Sequence, residues 1–120
     1  MNQKEVIIQR MRTLKKYHLN GNPTQKCRVN VVYVHQNNSL LHELWKTKLA
    51  HMLRKSGMNY ITEACIGDKR VDLVCLDTGE EFEIIAENDS PEIREKYRQQ
   101  GVTAIEATWK GLQDLNHTYS

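Results

Sequence analysis

Residues 63–83, EACIGDKRVDLVCLDTGEEFE, decide the fold, because apolar and polar side chains alternate here with a period of about two. With its flanks, this stretch predicts three short strands: NYITEACI (59–66), RVDLVCL (70–76) and EFEIIA (81–86). Gly67-Asp68 and residues 77–80, DTGE, separate the strands and are typical of tight turns. The stretch therefore predicts a small antiparallel sheet.

The two turns predict which side chains share a face. If Gly67-Asp68 is the centre of the first turn, Glu63 lies opposite Asp72. If Thr78-Gly79 is the centre of the second, Asp72 faces Ile85, and Glu83 is its diagonal neighbour. Glu63, Asp72 and Glu83 would then lie on one face. The other face would be an apolar core face, made of Val71, Leu73, Cys75, Phe82 and Ile84.

Three carboxylates on one face repel each other unless a cation, a lysine or water lies between them. Their oxygen atoms suit Mg²⁺ or Mn²⁺, so we interpret Glu63, Asp72 and Glu83 as metal ligands, with Glu87 as a fourth candidate. The alternative is that these acids face solvent on the wet side of an antiparallel sheet. A one-residue bulge would also break the alignment.

Residues outside the acidic stretch predict helices and two further strands. The stripe Ile7, Met11, Leu14 and His18 indicates an amphipathic helix over 3–18, which the turn formers of residues 20–25 end. Further along, the patterns predict a strand at 28–35, a helix at 40–56 closed by Gly57, a helix from Pro91 to Gly101, a strand at 102–107 and a short helix at 109–115.

Length and composition predict one domain over 1–120. The chain is 39% hydrophobic and 27% charged, with a net charge of +2, which is ordinary for a globular protein. It has no apolar run of about eighteen residues, so we expect no membrane segment and a cytoplasmic location. Cys27, Cys65 and Cys75 form no CxxC pair and are interpreted as reduced thiols. Basic residues are interpreted either as solvated side chains or as a discontinuous phosphate-binding surface.

The order helix, three antiparallel strands, helix, strand, with Asp72 in the second strand and Glu83 in the third, resembles the core of the PD-(D/E)xK, or restriction-endonuclease-like, nuclease superfamily. Residues 39–107 are similar in pattern to the nuclease region of competence protein CoiA. The matching positions are His42, Lys46, Glu63, Arg70, Asp72, Glu83, Arg94 and Tyr97. The resemblance implies an α/β fold with an α-β-β-β-α-β core and a mixed sheet flanked by helices. Residues 1–38 would add a helix and an edge strand, or a surface for a homodimer, and 108–120 a tail.

The resemblance implies metal-dependent phosphodiester hydrolysis. Asp72 and Glu83 would hold Mg²⁺ or Mn²⁺, and Glu63 would complete or orient the ligand set. The family lysine two residues after the glutamate is replaced by Ile85, so His42 and Lys46, four apart on one helix, are the candidate substitutes. The alternatives are a capping or partly buried residue in the first turn of the helix for His42 and a solvated side chain for Lys46. The candidate nucleic-acid contacts are Lys48, Lys69, Arg70 and Arg94, although for Arg70 a salt bridge to a neighbouring acid is an open alternative.

The sequence therefore predicts a nuclease acting on nucleic acid, with DNA favoured over RNA. One alternative is a degenerate relative that binds nucleic acid without cleaving it. The other is a small interaction protein whose acids only solubilise a sheet. Trp45 and Trp109 are interpreted as core residues in preference to base-stacking platforms.

Overall fold

A computed structural model of the chain describes residues 2–20, 28–67, 69–86 and 91–119, and shows an α/β fold of four helices and a four-stranded sheet. The elements in chain order are α1 (Gln3–Asn20), α2 (Leu40–Lys55), β1 (Tyr60–Ile66), β2 (Lys69–Cys75), β3 (Glu81–Ala86), α3 (Pro91–Gln99), β4 (Val102–Ala107) and α4 (Trp109–Tyr119). The element order predicted for residues 39–107 is thus confirmed. None of the helices in these ranges is long and apolar enough to span a membrane.

The sheet is mixed and follows the chain order β1-β2-β3-β4. β1–β2 and β2–β3 are antiparallel pairs, whereas β3 and β4 are parallel and are joined through α3. A parallel pair needs such a crossover connection, which explains why a helix separates these two strands in the sequence.

Helices cover both faces of the sheet. On one face Tyr17 of α1 packs in a cluster with Ile61 and Val74. On the other face Trp45 of α2 packs with Ile84 of β3 and with α4, and Ala50 of α2 packs with Leu73. We call these the α1 face and the α2 face. The core is therefore two apolar layers with the sheet between them.

The β1–β2 register is as predicted. Tyr60 pairs with Cys75 at one end and Ile66 with Lys69 at the other, so the register is the same on both sides of Glu63. Glu63 itself has a φ of 52° and forms no ladder pair, although this register leaves it opposite Asp72. A positive φ in a non-glycine strand residue is sterically costly, which marks Glu63 as a strained position.

The predicted β2–β3 register is wrong by two residues. Leu73 pairs with Phe82 and Val74 with Glu81, so the same register brings Asp72 opposite Glu83 rather than Ile85. The cause is a longer loop: the backbone N–H of Cys75 donates to Glu80 O, and that of Gly79 to Cys75 O. Leu76 and Asp77 leave the strand because tertiary partners hold them.

Those partners are in α1 and in the turn after α2. Leu76 packs against the cluster around Tyr17, and its N–H donates to Asn59 O at 2.8 Å. Asp77 Oδ1 accepts hydrogen bonds from Arg10 Nε at 2.8 Å and from the backbone N–H of Asn59 at 2.9 Å. These contacts convert the predicted two-residue turn into a four-residue loop.

The predicted division of side chains between the faces is also wrong. Val71 packs on the α1 face together with Val74, whereas Leu73 packs on the α2 face. The alternation of side chains is interrupted where Asp72 lies opposite the strained Glu63. Asp72 contacts His42 of α2, and the next residue, Leu73, also packs against α2, so two consecutive side chains are on the same face. A strict period of two does not hold through such a distortion.

The strand predicted at residues 28–35 is wrong. This segment runs beside β1, but side chains make part of its contacts: Tyr33 N–H donates to Thr62 Oγ1 at 2.9 Å, and Thr62 Oγ1 donates to Val31 O at 3.1 Å. Asn30 has a φ of 61° and its side-chain Oδ1 accepts from Tyr60 N–H. The β-branched composition therefore reflects packing beside a strand and not a ladder.

Candidate functional site

The first turns of α2 bring three charged side chains against the sheet. Ser39 caps the helix, because its Oγ accepts the backbone N–H of His42 at 3.1 Å. His42, Glu43 and Lys46 then follow on the side of the helix that faces β1 and β2. The sequence singled out His42 and Lys46 but not Glu43, whose spacing of three from Lys46 was the available signal.

Lys46 is completely enclosed, with 0% of its surface exposed. Its Nζ lies 2.6 Å from Tyr33 O, 2.8 Å from Glu43 Oε2 and 2.8 Å from Glu63 Oε1. An ammonium group has three N–H donors, so these three acceptors use all of them. Lys46 therefore anchors an ion cluster between helix and sheet and has no donor left for a water or a phosphate.

Glu63 is directed to Lys46 rather than toward a shared site with Asp72. Its Oε1 accepts from Lys46 and from Asn38 Nδ2, the latter at 3.4 Å. Its Oε2 is buried and lies 3.0 Å from Arg70 Nε without hydrogen-bond geometry. The strained backbone of Glu63 is thus compensated by ion pairs, and the salt bridge considered for Arg70 is present.

Asp72 and Glu83 form a carboxyl pair on neighbouring strands. Asp72 Oδ2 accepts a hydrogen bond from the backbone N–H of Ile84 at 2.8 Å. This side-chain contact lies just beyond the last backbone pair of the β2–β3 ladder, Leu73 with Phe82. Burial opposes ionisation of Asp72, but hydrogen bonds from His42 and Ile84 outweigh it and lower the pKa of this carboxyl. Asp72 is therefore the ionised member of the pair.

Glu83 is the protonated member. Burial first, and then the charge of Asp72 and a hydrogen bond to it, raise the pKa of Glu83 to about 8. Two carboxyl groups this close cannot both ionise easily, so they share one proton at neutral pH. The β2–β3 register, which leaves Asp72 opposite Glu83, agrees with the predicted proximity of the two residues.

His42 lies between two acids. Its Nδ1 is 2.9 Å from Glu43 Oε1 and its Nε2 is 3.2 Å from Asp72 Oδ2. Burial opposes the charged ring, but the hydrogen bonds and charges of Asp72 and Glu43 outweigh it, so the pKa of His42 is raised. A doubly protonated imidazole donates to both carboxylates at once.

Glu43 is held as a carboxylate by the same group of residues. Burial opposes its ionisation, but hydrogen bonds from Lys46, Asn38 and His42 lower its pKa. The result is a continuous polar cluster, which we call the α2–sheet cluster. It consists of Asn38, His42, Glu43, Lys46, Glu63, Arg70, Asp72 and Glu83.

The remaining predicted site residues lie outside the Asp72–Glu83 pair. Lys69 donates to Glu81 Oε2 at 3.0 Å, and Arg94 forms an ion pair with Glu106. Lys48 lines a separate depression on α2 next to Leu112. Ile85 is buried. Glu87 and Cys27 lie outside the described residues, whereas Cys65 and Cys75 are free thiols, as predicted.

A cavity of about 410 Å³ opens beside His42. Its lining includes Asn37 and Asn38 before α2, Ile85 of β3 and Trp109 at the start of α4. Trp45 is buried as predicted, but the core assignment of Trp109 is wrong, because 55% of its surface is exposed. Trp109 is the first residue of α4, which follows β4 closely in the chain, whereas Leu112 of the same helix packs in the core.

Over the described ranges, no group of three or more His, Cys, Asp or Glu side chains has an arrangement that would hold a metal ion. The sequence predicted that Glu63, Asp72 and Glu83 form such a group, but Glu63 is instead paired with Lys46, which neutralises its charge. Comparison of the chain with protein-family models, with curated protein sequences and with solved structures finds no match.

Proposed function

We propose that this domain is a metal-dependent nuclease that hydrolyses phosphodiester bonds in DNA, with a restriction-endonuclease-like core. The observation that supports this best is the Asp72–Glu83 carboxyl pair, which the β2–β3 register places on neighbouring strands beside His42 and near an open cavity. The order of elements around the pair, α2-β1-β2-β3-α3-β4, also agrees with the superfamily that the sequence resembles.

The donor set of this pair fits Mg²⁺ or Mn²⁺. Two carboxyl groups that share a proton provide hard oxygen ligands, and a divalent cation relieves the same repulsion that the proton relieves. Asp72 and Glu83 would hold the ion, whereas Glu63 does not fit as a ligand because Lys46 lies against its Oε1 and Arg70 against its Oε2. When bound, the ion would neutralise charge that develops on the phosphate during hydrolysis.

His42 takes the place of the lysine that is missing at Ile85. Its Nε2 contacts Asp72, and the hydrogen bonds and charges of Asp72 and Glu43 raise its pKa against the opposing effect of burial, which favours the protonated ring. From this position it holds a proton that can pass to a leaving oxygen. Glu43 fixes the ring through Nδ1 and favours its charged form.

The test is nicking of supercoiled plasmid by purified protein in Mg²⁺ or Mn²⁺. We expect metal-dependent nicking in the wild type and its loss in Asp72→Asn, in which the side-chain oxygen still accepts the N–H of Ile84. Glu92→Gln, at an exposed glutamate in the first turn of α3, is the matched control and should nick like the wild type. Nicking that survives in Asp72→Asn would contradict the proposal.

A second candidate function, nucleic-acid binding without cleavage, is favoured by two observations. Lys46 has all three donors engaged, and the family's lysine position is held by buried Ile85. This candidate predicts salt-sensitive DNA binding with no metal-dependent nicking. The plasmid assay and a binding titration on the same preparation separate the two functions.

A further inference from the structure

The cavity beside His42 is joined to the Asp72–Glu83 pair through two residues. His42 lines the cavity and places its Nε2 3.2 Å from Asp72 Oδ2. Ile85 also lines it and lies two residues after Glu83 on β3. A molecule that has a phosphate at the carboxyl pair therefore has an adjacent space of about 410 Å³ for the group next to that phosphate.

The size of the cavity suits a small organic group. Pockets that bind small molecules enclose about 300 to 1,000 Å³, with a mainly apolar lining and a few polar groups. Here the apolar part comes from Leu41, Ile85, Ala86 and Ala107, and the polar part from Asn37, Asn38 and Ser39. A flat heteroaromatic ring with hydrogen-bonding edges matches that mixture.

Trp109 supplies a stacking surface at this cavity. More than half of its surface is exposed, although the indole is one of the largest apolar side chains in the chain. Aromatic side chains of this kind stack on nucleic-acid bases of any sequence, because every base offers a π-face. An occupant that stacks on Trp109 would also remove apolar surface from water.

The amides of Asn37 and Asn38 supply hydrogen-bonding atoms at the same cavity. The Asn37 side chain makes no hydrogen bond with any residue in the described ranges. Asn38 donates through Nδ2 to Glu43 and Glu63, while its Oδ1 has no partner among those residues. Side-chain amides are well suited to hydrogen-bond with the edges of bases, adenine in particular.

We propose that this cavity receives an unpaired base of the nucleic-acid substrate, stacked on Trp109 and contacted at its edge by Asn37 and Asn38. The inference rests on the proposed function, because it uses the Asp72–Glu83 pair as the place of the neighbouring phosphate. A base inside a duplex is stacked and paired, and taking it out carries a free-energy cost that an unpaired base does not have. The substrate class is therefore nucleic acid with an unpaired nucleotide: a single strand, a frayed end or a flap.

The experiment compares binding of a labelled single strand and of a duplex of the same sequence, in Ca²⁺ and at fixed salt. We expect the wild type to bind the single strand about tenfold more tightly, and Trp109→Ala to lose this preference without changing duplex binding. Trp109→Phe should keep most of the preference because it keeps an aromatic face. Leu40→Ala, at an exposed residue outside the cavity lining, is the control and should behave like the wild type.

Tryptophan fluorescence gives a second readout. The single strand should quench the emission of the wild type, and the quenching should be absent in Trp109→Ala, which retains the buried Trp45. Equal losses on single strand and duplex in Trp109→Ala, or no loss on either, would overturn the base-binding proposal. Because Trp109 is exposed, the variant is expected to fold.

The outcomes separate this proposal from the nuclease proposal. A Trp109-dependent preference for single strands without any nicking supports the cavity and rejects cleavage. Nicking that depends on Asp72, with Trp109→Ala equal to the wild type on both substrates, supports cleavage and rejects the cavity. If neither the single strand nor the duplex binds, both proposals fail.

Discussion

Lys46 Nζ lies 2.8 Å from Glu63 Oε1, and this contact joins α2 to the one strained residue that the described part of β1 contains. Glu63 adopts a φ of 52° in the middle of a strand, where its carboxylate is buried. Strain of this kind persists only where the surroundings hold the residue firmly. The ion pair with Lys46 provides that constraint, so the lysine has a structural role, whereas the sequence suggested either a catalytic or a solvated one.

Replacing Lys46 with Met should destabilise the protein strongly. The variant leaves Glu43 and Glu63 buried without their shared cation, and breaking a buried ion pair from one side costs about 3 to 5 kcal/mol. Urea denaturation followed by circular dichroism measures the change in the free energy of unfolding. Lys55→Met, at an exposed lysine on the same helix, should change it by less than about 0.5 kcal/mol. Equal stability of the two variants would contradict the role assigned to Lys46.

The metal-free protein should lose stability as pH rises from about 5 to about 8. The pKa of Glu83 is about 8 in the folded state, raised by burial and by Asp72. The pKa of His42 is also raised, against burial, by Asp72 and Glu43. In this interval the folded state binds more protons than the unfolded chain, and stability then falls with increasing pH.

Thermal unfolding in EDTA across this pH interval tests that dependence. Glu83→Gln removes the Glu83 contribution, of the order of 2 kcal/mol because the carboxyl is only partly buried, and leaves the smaller contribution of His42. The wild-type curve should therefore be steeper than that of the variant. If the two curves run parallel, Glu83 does not hold the shared proton.

Most of the fold could be predicted from periodicity and turn chemistry. Gly67 has a φ of 59° and lies in the turn between β1 and β2, whose register is as predicted from that turn. The predicted β2–β3 register was wrong because Leu76 and Asp77 form hydrogen bonds with Asn59 and Arg10, which are distant in the sequence. No local pattern carries that information.

The candidate site could be predicted only in part. Asp72 and Glu83 come together because the two-residue shift in register places them directly opposite each other instead of diagonally. Glu63 departs from the predicted set because its backbone adopts a left-handed conformation that a glutamate rarely takes. Glu43 was missed because an acid in the first turn of a helix is also explained by the helix dipole.

Gly111→Ala should destabilise the protein, although alanine is normally the better helix former by about 1 kcal/mol. A Cβ at Gly111 would lie 2.9 Å from Trp45 Cζ2 and 2.8 Å from Thr108 Oγ1. The Trp45 ring is buried between α2, β3 and α4 and has little room to move. We expect a loss of about 1 to 3 kcal/mol by urea denaturation, whereas Lys110→Ala, at an exposed neighbour, should be close to neutral. A gain in stability for Gly111→Ala would show that Trp45 can shift.

His42→Ala should strongly reduce the rate of nicking. If His42 supplies the proton and the positive charge that Ile85 cannot, its loss should slow single-turnover nicking by about 100-fold or more at saturating metal. His51→Ala, at an exposed histidine on the same helix, is the matched control and should nick at the wild-type rate. A titration of the metal separates a slower chemical step from weaker metal binding, because only the latter is restored by more Mg²⁺. Equal rates in the two histidine variants would leave His42 as a structural partner of Glu43 and Asp72, and the cation for cleavage would then have to come from elsewhere.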